Sequence, residues 1–189
     1  MSDKIKYSRA DALAVAKIMC DFLRPYTERL IVAGSLRRRK LEVGDVEILF
    51  VPKRSSGIPV DLFGARSSDD LAAKRLDDLL KTGTIRKRLS VTGSEAWGEK
   101  NKLAVHSTSG IPVDFFSSAE PHWFNYLVCR TGGAMSNTRI AKAAQAKGWK
   151  WHPYGSGFTD DQGNLLRVTS ERDVFDLLGL PFQEPWDRL

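Results

Sequence analysis

The run Gly34-Ser35-Leu36-Arg37-Arg38-Arg39-Lys40-Leu41-Glu42-Val43-Gly44-Asp45-Val46-Glu47-Ile48-Leu49 joins a Gly-Ser turn, a basic cluster and two carboxylates at i and i+2. Asp45 to Val51 is apolar and β-branched around those acids, the composition of a strand. Residues two apart on a strand share a face. Asp45 and Glu47 should therefore point together, with Val46, Ile48 and Phe50 on the other side. Two acids on one face repel each other unless a cation or an arginine stands between them. Magnesium, which takes hard oxygen ligands, suits such a pair. Ser35 and the turn amides can take phosphate oxygens, and Arg38 can reach a β- or γ-phosphate with paired donors. Together these are the parts that hold a nucleoside triphosphate and its metals.

Phosphoryl transfer asks a protein mainly for positioning and charge neutralisation. Two divalent ions about 3.5–4 Å apart can activate a hydroxyl and steady the leaving pyrophosphate. A third carboxylate from a neighbouring strand would serve the metal nearest the attacking oxygen and could accept its proton. Two candidates exist, because Ile-Pro-Val-Asp follows Ser-Gly twice: at Ile58 to Asp61 and at Ile111 to Asp114. The plainer alternative for the whole run is an exposed acidic strand end beside a solvated basic loop. The ordered combination of turn, base and paired acids speaks against it.

Positioning these groups falls to the surrounding elements. Ser8, with Asp11 three residues on, caps a helix through Ala12, Val15, Ile18, Met19 and Phe22 that Pro25 ends. Leu30 to Ala33 reads as a buried strand entering the Gly-Ser turn. Ser67 or Ser68 should cap a helix through Leu71, Leu76 and Leu80, closed by Gly83. Ile85–Val91 and Lys102–His106 form a hairpin joined through Gly93 to Gly98, and Val113–Phe116 adds a further strand. Beyond Pro121 the pattern turns helical, at His122–Cys129 and Ser136–Lys147, separated by Thr131-Gly132-Gly133. A hairpin falls in Tyr154–Gly163, and Thr169 to Asp173 caps a last helix ending at Gly179. The expectation is an α+β protein: a mixed αβ lobe over 1–117 and a smaller lobe over 118–189.

A chain of 189 residues, 42% hydrophobic and 28% charged, can bury a core of ordinary globular type. It has no long apolar run for a membrane span, and Met1-Ser2-Asp3-Lys4 lacks a signal-peptide pattern. Cys20 and Cys129 alone offer neither a disulfide framework nor zinc spacing, so a reducing cytoplasm is the simplest compartment. A net charge of +6 favours a polyanionic partner.

Gly34-Ser35, Arg37-Arg38 and Gly44-Asp45-Val46-Glu47 resemble the nucleotidyltransferase signature of family X DNA polymerases, the polymerase beta group. Val113-Asp114-Phe115 is similar to that family's third-aspartate strand, and Cys129 to Asn137 to its turn at the incoming nucleotide. Glu171–Phe175, Leu178–Phe182 and Glu184–Arg188 resemble its C-terminal lobe. The resemblance covers about Leu30 to Leu189, in order. It implies two magnesium ions, with manganese as substitute, on Asp45, Glu47 and Asp114. It further implies a triphosphate held by Gly34, Ser35, Arg38 and Gly44, with Cys129, Arg130, Thr131, Gly132, Gly133 and Asn137 near sugar and base. Asp114 is preferred to Asp61 because it falls just before the second lobe. The implied partners are nucleoside triphosphate and gapped or nicked DNA, acting on a monomer without a membrane.

The chain also departs from that family. Glu47 stands where aspartate is usual, Cys129-Arg130 replaces an aromatic pair, and Ala134 lacks a side chain that commonly lies over the base. About thirty residues precede the first strand, too few for a lyase or helical DNA-gripping module, so nucleic acid would be held by the two lobes. Arg37, Arg39, Lys40, Arg86, Lys87, Arg88 and Lys142, with Lys147 and Lys150, are the candidate phosphate contacts. Trp97, Trp149, Trp151 and Tyr154 can stack on bases but fit core packing better, and His106 in a strand reads as structural. Gap-filling synthesis is the leading expectation. Template-independent transfer to a DNA or RNA end, and a nucleic-acid-binding module with a weakened site, are its alternatives.

Overall fold

The computed structural model describes residues 5–55 and 69–189. Asp61 and Ser67–Ser68 lie outside them. Strand β1 (Tyr7–Ser8) leads into helix α1 (Arg9–Leu23), whose N-cap is Ser8, accepting from the Asp11 amide. A 3-10 turn carrying Pro25 follows, as proline dictates. Then come β2 (Thr27–Val32), the single-turn helix α2 (Gly34–Arg37), β3 (Glu42–Val43) and β4 (Val46–Pro52). The acidic strand begins one residue later than the sequence suggested, so Asp45 sits just before it. Helix α3 (Leu71–Lys81) is capped by Asp70, which accepts from the Ala73 amide, rather than by a serine.

Strand β5 (Ile85–Lys87) is shorter than predicted. Serine and threonine hydroxyls around Ser90–Ser94 bond to one another and draw the chain into a tight turn before β6 (Asn101–His106). Strand β7 (Pro112–Ser117) then runs parallel to β4, and the order across the five-stranded sheet is β2-β4-β7-β6-β5. All its other pairings are antiparallel. Val46, Ile48, Phe50, Val113 and Phe115 face a core built with α1 and α3, as the alternation requires. The opposite face carries Leu49, Val51 and Phe116, covered by Trp123, Tyr126 and Leu127 of α4 (Trp123–Thr131).

Thr131 belongs to α4, so only Gly132-Gly133 separates it from α5 (Ala134–Ala146). Strands β8 (Lys150–His152), β9 (Gly157–Thr159) and β10 (Leu165–Arg167) form a three-stranded antiparallel meander, one strand more than the expected hairpin. Phe158 is its buried hub, flanked by Trp149 and Trp151; the Trp151 indole donates to Asn125. Helix α6 (Glu171–Asp176) starts at a capping box between Ser170 and Asp173.

One polar tie joins the Gly34–Arg37 turn to this last helix. Arg37 donates to Glu171 and to the Thr131 hydroxyl (2.6 Å), and the wholly buried Arg188 reaches the same carboxylate. Burial would raise the Glu171 carboxyl, but hydrogen bonds from Arg37 and the two guanidinium charges carry it below the usual range. A depressed carboxyl contributes stability above its unfolded value, about 4.3, and loses it as pH falls through the folded one. Glu171→Ala, which strands two guanidinium groups, is expected to cost about 3–5 kcal/mol in urea unfolding at neutral pH. That deficit should shrink on acidification below the carboxylate range. A deficit that stays constant with pH would mean the tie is not electrostatic.

Candidate active site

Register creates the site. In the parallel pair, Glu47 of β4 stands beside Asp114 of β7, and Leu49 beside Phe116. The apolar residues alternating with them are claimed by the core, which forces both carboxylates onto the other face. Helix α4 covers Leu49 and Phe116, and its last turn brings Arg130 to Glu47, so both carboxylates are largely buried. Asp45, after the buried Gly44, precedes β4 on the same approach. Burial pushes the Glu47 carboxyl up to about 7; the Asp45 and Asp114 charges push the same way, while Arg130 and Arg38 oppose them. The two neighbouring carboxylates thus add to the rise that burial causes.

The turn is built against Glu47. Gly34 has φ +60°, and a β-carbon there would lie 1.8 Å from Glu47 Oε2. Only glycine permits both the backbone and the approach. The Ala33 amide donates to the Glu47 carbonyl (2.8 Å), fixing the turn on the strand. Arg38 Nη1 donates to the Thr131 carbonyl (2.6 Å), bringing the end of α4 to the turn. Asn137 Nδ2 in turn donates to the Cys129 carbonyl (2.9 Å), and its Oδ1 lies where a side chain at Gly132 would go. Gly133 caps α5 with its α-carbon pressed on the Leu189 carbonyl. The Gly34-Ser35 turn with Arg38, Glu47, and Cys129 to Gly133 with Asn137 are thus drawn together.

Several expected DNA contacts are engaged elsewhere. Arg37 belongs to the Glu171 tie. Arg88 forks Asp114, with Nε 3.2 Å from Oδ1 and Nη2 2.6 and 2.7 Å from Oδ1 and Oδ2. Arg130, expected near sugar and base, holds its Nη1 3.9 Å from Glu47 Oε1, with its guanidinium 3.6 Å over Phe116 and close to Tyr126 and Tyr154. Arg39 lies over Trp186 at 3.9 Å, and Lys87 pairs with Glu95. Lys40, Arg86, Lys142, Lys147 and Lys150 are exposed. His106 is buried and bonded to Ser109, and Trp97 donates to Asp77.

Residues 126–189 match the DNA polymerase beta thumb family. Over 170 residues the chain is 26% identical to DNA polymerase lambda of Rattus norvegicus, covering 84% of the chain and 28% of that protein. A crystal structure of Leishmania infantum polymerase beta, a ternary P/T complex, superposes with a TM-score of 0.75 at 17% identity. That match covers 98% of this chain and 77% of the other. The chain is thus similar to family X polymerases, in its last third by sequence and over its length by fold. Its fold is the mixed-sheet α+β fold of polymerase beta. The chain spans little more than a quarter of the curated relative's length.

Among the described residues no three acid, histidine or cysteine side chains converge as a ready metal cluster. Arg88 and Arg130 approach the carboxylates where a cation would otherwise stand. The donors nonetheless suit a divalent ion: hard carboxylate oxygens on adjacent strands, in register and mutually repelling. Pattern reasoning missed Glu171, Arg188 and the pairing of Arg88 with Asp114. The last needs the β5-β6-β7 order, which no local pattern reveals. Tyr126 and Arg130 at i and i+4 on α4 was a readable signal.

A raised carboxyl stabilises below its unfolded value and loses that contribution as pH rises through the folded one. In chelator, wild type should therefore lose on the order of 3 kcal/mol between about pH 4.5 and about pH 7. Glu47→Gln should flatten that loss, read by urea midpoints across the range. An unchanged slope in the variant would remove Glu47 as its source.

Proposed function

We propose that the chain is a metal-dependent nucleotidyltransferase adding nucleotides to a DNA 3′-hydroxyl at gaps or nicks. In this reading residues 1–117 form the palm and 118–189 the nucleotide- and DNA-contacting lobe. One observation carries it. Ser35 Oγ, Arg38 Nε, Arg130 Nε and Asn137 Oδ1 are buried without a hydrogen-bond partner among the described residues. Buried polar atoms are rarely left unsatisfied, and these four lie on the elements that gather around Glu47. A polyanionic ligand would satisfy the donors, and a base edge the Asn137 oxygen.

The chemistry follows from the positions. Ser35 and Arg38 bind and orient the triphosphate, and Gly132-Gly133 let its sugar approach the backbone. Divalent ions held by Asp45, Glu47 and Asp114 would supply charge neutralisation at the triphosphate and acidify the attacking hydroxyl. The 3′-oxygen bonds to the α-phosphorus, the bond from that phosphorus to the bridging oxygen breaks, and pyrophosphate leaves. Asp114 takes the hydroxyl proton. The ternary P/T complex of the Leishmania protein, on the same fold, supports primer-template as the partner. Arg86, Lys40 and Lys142 are the exposed cations offered to phosphates.

Primer extension on gapped, nicked, recessed and unpaired ends, with deoxy- and ribonucleotides and magnesium or manganese, tests the reading. Metal-dependent incorporation is expected, with Asp114→Ala reducing it at least about a thousandfold and Asp61→Ala leaving it near wild type. Failure on every DNA end would overturn the polymerase assignment. Efficient extension of the unpaired end alone would replace it with template-independent transfer. Loss in Asp61→Ala with activity retained in Asp114→Ala would transfer the third-acid role to Asp61.

A further inference from the structure

Among the described residues, Arg39 is the one non-glycine with a positive φ, at +61°. It closes α2 in a Schellman cap. The Arg39 amide donates to the Leu36 carbonyl (3.0 Å), and the Lys40 amide reaches back to the Ser35 carbonyl (3.1 Å). Glycine takes this left-handed position freely, whereas arginine is strained there because its β-carbon crowds the carbonyl that follows. Such a conformation persists only where surrounding contacts favour it. Here the residue's own side chain makes that contact, with its guanidinium 3.9 Å from the centre of the Trp186 ring.

The segment carrying Trp186 is held from behind. Trp186 lies in the 3-10 turn Pro185–Asp187, and the next residue, Arg188, is wholly buried, bonded through its side chain to Glu171 and to the Gln183 carbonyl (3.0 Å). The Arg188 carbonyl accepts from the Gly133 amide (3.3 Å), and the Leu189 carbonyl accepts from the Ser136 amide (2.6 Å). The segment therefore spans from the Ser35 turn to the start of α5, which carries Asn137. An exposed cation–π stack and the penalty of a left-handed arginine are of the same order. Removing the ring should thus let the cap open.

We propose that Trp186 is a positioning residue for the triphosphate: by stacking on Arg39 it keeps that residue left-handed, closes the cap behind Ser35 and sets the turn against Gly132-Gly133. The inference rests on the nucleotidyl-transfer reading. It has a consequence particular to strain, because arginine at position 39 needs the ring and glycine does not. A nucleobase stacked on Trp186 would make no such distinction, since it would meet the ring whichever residue stands at 39.

The test combines Trp186→Ala with Arg39→Gly in the whole chain. Amide hydrogen exchange followed by NMR without ligand reports the cap, and steady-state kinetics at saturating gapped DNA report the triphosphate. Trp186→Ala alone should speed exchange of the Arg39 and Lys40 amides about two- to fivefold, the size of an exposed stack, with no change in the strands of the five-stranded sheet. It should raise the KM for a deoxynucleoside triphosphate by a similar factor, and by more than it lowers kcat. Trp186→Phe, which keeps an aromatic face, should lie between wild type and Trp186→Ala. Added to Arg39→Gly, Trp186→Ala should alter neither Lys40 exchange nor KM. Unchanged exchange in Trp186→Ala, a KM that does not follow the exchange, or equal effects in both backgrounds overturns the Trp186 inference alone. The expected exchange pattern with no triphosphate bound or turned over by any form overturns the nucleotidyl-transfer reading, and the positioning role with it.

Discussion

The structure turns on a conflict of charge at the start of two parallel strands. Strand register puts Glu47 beside Asp114, and chain direction brings Asp45 to the same end. None of the three can retreat into the sheet, because the alternate positions are filled by Val46, Ile48, Val113 and Phe115. The nearby side chains answer that conflict. Arg88 forks Asp114, Arg130 stands by Glu47, and the Arg38 charge opposes the rise in the Glu47 carboxyl. These cations come from the β5 end, α4 and the α2 turn.

Positioning those cations is the work of the second half of the chain. Arg130 is held by an aromatic wall of Phe116, Tyr126 and Tyr154, and the first of these lies on β7 two residues beyond Asp114. Arg37 and Arg38, adjacent in sequence, separate in role. Arg37 runs to Glu171 and Arg188, while Arg38 runs to the Thr131 carbonyl and keeps its Nε without a partner among the described residues. One arginine ties the turn to the rest of the fold, and its neighbour keeps donor capacity for a ligand. A turn anchored at both ends holds Ser35 and Arg38 in fixed relation to the acids.

What the sequence could show and what it could not divide along a physical line. Features set by short-range periodicity were legible: the face carrying Glu47, the Ser8 cap and the Gly34 turn; the last helix stops at Asp176, short of the expected Gly179. Features set by which strands become neighbours were not. Arg88 reads as one cation in a basic triplet, and its capture by Asp114 exists only because β6 lies between β5 and β7. Arg37 likewise reads as part of a basic run until Glu171, distant in sequence, is folded against it. Strand β5 was overextended because hydroxyl bonds among Ser90, Thr92 and Ser94 outcompete ladder pairing. Charge density in a sequence marks where polyanions are welcome, but long-range pairing decides which cations remain to meet them.

The same logic accounts for glutamate at position 47, where the family it resembles usually has aspartate. The extra methylene carries the carboxylate out from the strand until it meets the Gly34 α-carbon, and the side chain is then confined by the turn on one side and Arg130 on the other. A shorter acid would stand farther from both. A longer acid needs a confining partner, and an arginine at the end of α4, flattened on Phe116, supplies confinement and countercharge together.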